Sequence, residues 1–138
     1  MRKIVWIVFF MYTSLLIYWM FFGFSRIPSE EYKYNFTPFS TIKNYFTYFS
    51  HFPFLTWIIN IGGNIVVFIP FGIFLPCLFI KLRNVLSFLV VFLLGITILE
   101  TSQLYFRVGS FDVDDIILNS VGALIGFVVY FIFRRTKS

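Results

Sequence analysis

Four long apolar runs, separated by charged connections, constrain this chain more than any other feature. A helix that crosses a bilayer needs about 20 mostly apolar residues. Ile4 to Phe24 supplies them without a charge. Phe54 to Ile80 is longer and contains Gly62, Gly63, Pro70 and Pro76. Val85 to Phe106 carries Glu100, and Ile116 to Phe133 is short but clean. Hydrophobic residues make up 59% of the chain against 12% charged, with 22 phenylalanines. A domain of 138 residues cannot hide that much apolar surface from water, so the bilayer is its natural solvent. The expected fold is an all-α membrane protein forming a single domain, residues 1–138, with four transmembrane helices at about 4–24, 54–80, 85–106 and 116–133. The stretch "GFSRIPSE" offers no small-residue cleavage site, so the first run is read as a helix and not as a signal peptide.

The charges orient the helices. With the amino terminus placed in the cytoplasm, Arg2, Lys3, Lys81, Arg83, Arg134, Arg135 and Lys137 lie inside. Arg26, Lys33, Lys43 and Arg107 lie outside, mostly along one long connection. Basic residues therefore collect on the cytoplasmic side, which predicts that both termini are cytoplasmic. They form no continuous patch, which argues against nucleic acid as a partner. The lone cysteine, Cys77, permits no internal disulfide.

The connection from Ser25 to Pro53 has its own pattern. In "TPFSTIKNYFTYFSHF", Thr37 stands at a plausible N-cap and Pro38 at the first helical position. Phe39, Ile42, Tyr45, Phe46, Phe49 and Phe52 recur at helical spacing. This predicts an external amphipathic helix over about 38–52, between the first and second spans, lying on the membrane surface. A re-entrant loop packed on the other helices remains the alternative. Asn35 in "NFT" matches a glycosylation sequon, a weak pattern that Pro38 weakens further.

Polar residues gather at one depth. Glu100, Gln103 and Arg107 are spaced to share a helix face. A rise of 1.5 Å per residue puts Glu100 about 10 Å below Arg107, inside the outer leaflet. Asp112, Asp115, Asn119, Gly122 and Gly126 form a second stripe, and Asn60 and Asn64 add amides from the second span. The aspartates are also good helix caps, Gly122 and Gly126 a small-residue packing motif, and the asparagines interhelical hydrogen-bond partners. A charge at mid-membrane costs roughly 2.5–3.5 kcal/mol on insertion scales, and its default reading is functional.

These blocks carry a resemblance. "NFTPFSTI", "NIVVFIPFGIFLP", "ETSQLYFR" and "FDVDDIILNSVGALIG" resemble, in order and spacing, the signature blocks of VanZ-like membrane proteins. The resemblance implies Asn64, Pro70, Gly72, Glu100, Gln103, Arg107, Asp112, Asp115, Asn119, Gly122 and Gly126 as the family's marked positions. It also implies a bacterial cytoplasmic-membrane protein. The family's name-giving member is linked to low-level resistance to teicoplanin, a glycopeptide with a lipid tail.

The expected function is action on, or binding of, a lipid-linked envelope component such as a wall precursor or lipid headgroup. Whether it is an enzyme stays open at this stage. In an enzyme, Glu100 and Asp115 would be the catalytic pair. Asn64, Gln103, Arg107, Asp112 and Asn119 would bind, with Arg107 suited to a phosphate or carboxylate. Asp112, Asp115 and Glu100 are oxygen donors of the kind that hold a hard divalent cation such as Mg²⁺. Pro70, Gly72, Gly122 and Gly126 would be structural. The alternatives are a non-catalytic binding or shielding protein with a structural cluster, or a small transporter. The transporter is the weaker of these, because only Ser87 and Cys77 offer polarity in the inner half.

Overall fold

The computed structural model describes residues 2–136. Its four long apolar helices are α1 (Arg2–Phe22), α3 (Phe54–Leu78), α4 (Val85–Tyr105) and α5 (Val113–Arg135). Each is long and apolar enough to cross a membrane. A shorter helix, α2 (Ser40–Thr47), lies in the connection between α1 and α3. Two three-residue strands, β1 (Lys33–Asn35) and β2 (Ser110–Asp112), pair in parallel. The sequence pattern gave no hint of these strands.

Local chemistry sets the helix ends. Asn84 caps α4, its side-chain oxygen accepting from the amides of Leu86 (3.0 Å) and Ser87 (3.1 Å). Asp112 caps α5 and so starts it at Val113, ahead of the predicted Ile116. Arg134 and Arg135 close its last turn, where positive charge suits the dipole. α3 is not uniform. Residues Ile58–Gly63 form a π-helical turn between two α-helical stretches, and such turns recur at functional sites.

The core is the seam between α3 and α5, which run parallel. Gly122 lies against the Ile65 carbonyl, Gly126 against the Ile69 carbonyl, and Gly72 against the backbone of Ala123 and Phe127. A Cβ at any of the three would overlap backbone atoms of the facing helix. Between lipid-bathed helices no hydrophobic effect is available, so close packing of small residues supplies the attraction. Phe68, Phe88, Phe92, Ile96, Ala123 and Phe127 form one buried cluster across α3, α4 and α5. By contrast, α1 buries no residue. It is fastened by Tyr12 donating to the Val67 carbonyl (2.7 Å), Gln103 donating to the Met20 carbonyl (2.7 Å) and edge contacts such as Phe9 on Phe71.

The seam predicts a sharp contrast among glycines. Gly122→Ala should destabilise the protein by about 1–3 kcal/mol through overpacking. Gly95→Ala, where a Cβ meets nothing within 4 Å, should be neutral or stabilise by up to about 1 kcal/mol. Thermal unfolding in detergent checks this, and equal behaviour of the two variants contradicts the seam.

Candidate functional site

The loop from α4 to α5 departs from the predicted stripe. α4 ends at Tyr105, and Arg107 takes a left-handed conformation with φ 57°. Its amide donates to the Leu104 carbonyl (3.0 Å), and the Val108 amide to the Gln103 carbonyl (3.1 Å). This is a Schellman closure with arginine where glycine is usual. The helical face therefore does not run from Glu100 to Arg107. Instead, the Arg107 guanidinium donates to the Glu30 carbonyl (3.2 Å) and lies 5.5 Å from the Tyr32 ring centroid. A different arginine is within Coulombic reach of Glu100 and Asp115, namely Arg26. It donates to the Val108 carbonyl (2.8 Å), and the missing side chain of Gly109 leaves room for its guanidinium.

The strand pair sets Asn35 beside Asp112 in register. One oxygen of Asp112 accepts from the Asp114 amide (2.9 Å) and the other from the Thr41 hydroxyl (2.6 Å). Asp114 is fully buried. Its two oxygens accept from the amides of Phe39 and Ile42, so α5 caps the first turn of α2. This explains why Thr37 and Pro38 do not start that helix. Asn35 accepts from the Thr37 amide (3.0 Å) and donates to the hydroxyls of Ser40 (2.7 Å) and Thr41 (3.1 Å). The chain turns there, Phe39 takes φ 61°, and α2 begins at Ser40 under the Asp114 carboxylate. The predicted continuous helix over 38–52 is thus α2 followed by a separate 3-10 turn, Phe49–His51. Phe46 and Phe49 pack edge-on against Trp57.

Below this cap lies the buried cluster. Glu100 is 4% exposed, Gln103 5% and Asn119 1%. One oxygen of Glu100 and the side-chain oxygen of Asn119 are buried without a hydrogen-bond partner. Asn64, just after the π-helical turn, donates to Asp115 (2.8 Å) and to the Asn60 carbonyl (2.9 Å). Asp112 and Asp115 both lie within Coulombic reach of Glu100. Tyr45 of α2 lies within Coulombic reach of Asp115 and Asp112. Burial raises its phenol above the ordinary value, and the charges of Asp115 and Asp112 add to the rise.

The structure thus brings Glu100, Asp112, Asp115, Asn64 and Asn119 to one end of the bundle. Gln103 serves as a tie to α1 through Met20, and Arg107 serves the loop. Among the described residues no group of three Asp, Glu, His or Cys side chains is placed to hold a metal ion. Both oxygens of Asp112 accept hydrogen bonds, one from the Asp114 amide as the helix cap and the other from the Thr41 hydroxyl. Sequence reasoning missed Arg26, Thr41, Tyr45 and the structural weight of Asp114. The second aspartate of "FDVDD", placed in the first turn of a helix, was the available signal for the last of these.

A model of the VanZ/LLP1 family matches residues 8–134. The chain belongs to the VanZ/LLP1 family. Over 67 residues it is 36% identical to Protein VanZ of Enterococcus faecium, a stretch covering 49% of this chain and 41% of that protein. The chain thus spans about two fifths of the length of the curated relative it matches. No solved structure matches it.

The Asp114 cap in this VanZ/LLP1 chain is testable apart from any function. Asp114→Ala strands the amides of Phe39 and Ile42, a loss of about 1–2 kcal/mol for a cap. Limited proteolysis should then cut residues 36–52 faster than in the parent, whereas exposed Lys43→Ala should cut like the parent. Equal cutting of all three proteins shows that Asp114 does not hold α2.

Proposed function

We propose that this chain binds a lipid-linked envelope component in a bacterial cytoplasmic membrane. The polar head would sit at Glu100, Asp115, Asn64 and Asn119, with the lipid tail along the outside of the helices. One observation carries this reading: Glu100 is almost wholly buried and one of its oxygens has no partner in the protein. A buried acceptor left unsatisfied costs about 1–3 kcal/mol, and intramembrane carboxylates are kept mainly for function. A ligand that donates to that oxygen removes the cost. The VanZ/LLP1 membership and the similarity to Protein VanZ support a link to lipoglycopeptide (teicoplanin) resistance. The basic residues at the ends of α1, α3 and α5 support cytoplasmic termini, which put the cluster in the outer leaflet.

A second reading, catalysis, draws on Glu100 and Asp115 lying within Coulombic reach of each other on different helices. Two carboxylates in unlike surroundings can divide acid and base roles. Turnover of a lipid-linked wall precursor by the purified protein separates an enzyme from a binder.

The binding test uses a diazirine-bearing lipid-linked wall precursor in vesicles. The parent should be photolabelled, and Glu100→Gln should cut labelling about tenfold or more at unchanged abundance. Asp115→Asn should do the same. The double variant should lose little more, because residues acting as a unit are non-additive. Undiminished labelling of both single variants rejects the site.

Topology is checked in a Cys77→Ser background. A cysteine at Ser29 or Ser110 should react with a membrane-impermeant thiol reagent added outside. Reaction only from the cytoplasmic side reverses the orientation.

A further inference from the structure

Among the described residues the buried unpartnered side-chain atoms are the Trp57 indole N–H, a donor beside Phe46 and Phe49, and two oxygens of the cluster. The free oxygen of Glu100 and the side-chain oxygen of Asn119 are both acceptors, both buried, on facing helices. Among the described residues, the one side-chain donor to Asp115 is Asn64, at 2.8 Å. The charges that act on Glu100 are two carboxylates and one cation. Asp112 and Asp115 act on it from α5 and its cap, and Arg26 is the cation that acts on it. A ligand that fits must bring hydrogen-bond donors and positive charge to the acceptors. Arg26 stands exposed beside Gly109, with one guanidinium nitrogen on the Val108 carbonyl. A guanidinium has five N–H donors, and its planar fork suits a phosphate.

We propose that the lipid head recognised here carries a primary ammonium group, seated between Glu100, Asp115 and Asn119, with its adjoining phosphate against Arg26. This rests on the lipid-binding reading above and narrows its ligand. Two features separate a primary ammonium from other heads. It offers three N–H donors, enough for acceptors arriving from two helices. Its positive charge offsets an acidic surround in a low dielectric, where unpaired charge is costly. A trimethylated ammonium has the charge and none of the donors. A glycerol head has donors and no charge.

The test uses the full chain in nanodiscs containing phospholipids of matched acyl chains and three heads: ethanolamine, choline and glycerol. Native mass spectrometry reads which lipid stays bound. The parent should retain the ethanolamine lipid about tenfold or more over each of the others. Arg26→Ala should weaken retention of all three while keeping their order. Glu100→Gln should erase the order. Equal retention of choline and ethanolamine lipids by the parent overturns the proposal, since charge alone then suffices. Equal retention of the glycerol lipid overturns it too, since hydroxyl donors then suffice. These parent comparisons stand even where a variant fails to fold. Soluble phosphoethanolamine separates a lipid head from a free phosphoamine. It should compete only weakly, and potency equal to the lipid overturns the lipid assignment. Photolabelling by the wall precursor, run on the same preparation, keeps the two readings apart. Labelling without a head-group order removes this inference alone, and loss of both removes the lipid-binding reading as well.

Discussion

The backbone contact between α3 and α5 is the constraint on which the rest depends. Gly72, Gly122 and Gly126 let two parallel helices approach until carbonyls meet the places where side chains would stand. That approach fixes the relative height of the helices. It sets Asn64, one residue above the first contact at Ile65, where it reaches Asp115. The phenylalanines of α4 then fill the third side of the seam and carry Glu100 into it. A polar cluster on helices spaced by ordinary side chains would be looser and wetter. Here the glycines supply dry surroundings, and dry surroundings are what make an unpartnered carboxylate consequential.

The carboxylates divide by task. Asp112 and Asp114 are engaged by backbone amides and a threonine hydroxyl, so they hold the polypeptide. Their work joins segments far apart in sequence: the β1 strand and α2 on one side, the start of α5 on the other. Glu100 and Asp115 lie deeper and are less satisfied. The same short sequence, Asp112 to Asp115, thus builds a roof and furnishes part of what lies under it. The charges of Asp115 and Asp112 both act on the Tyr45 phenol of α2, in addition to its burial.

The spans were legible because length and apolarity alone decide them, and Gly122 with Gly126 was legible because small residues four apart have few other uses in a membrane helix. The cluster was legible in part, since Asp115, Asn119 and Glu100 sit on regular helices where periodicity holds. Periodicity failed wherever tertiary contacts took over the backbone. Arg107 is itself the left-handed residue that closes the end of α4, so its helical phase is meaningless. Thr37 and Pro38 have the composition of a helix start, yet Asn35 and Asp114 move that start to Ser40. Arg26 had no local signal at all, since it reaches the cluster only through the packing of its loop on Val108 and Gly109.

The central claim is that Glu100 is buried unpartnered because a lipid head completes it. Infrared difference spectroscopy on protein with carbon-13-labelled glutamate reads this directly. The only other glutamates, Glu30 and Glu31, are exposed. Adding the ethanolamine lipid to delipidated protein should shift one labelled carboxyl band, and Glu100→Gln should abolish that shift. A carboxyl spectrum indifferent to lipid in the folded parent contradicts the account.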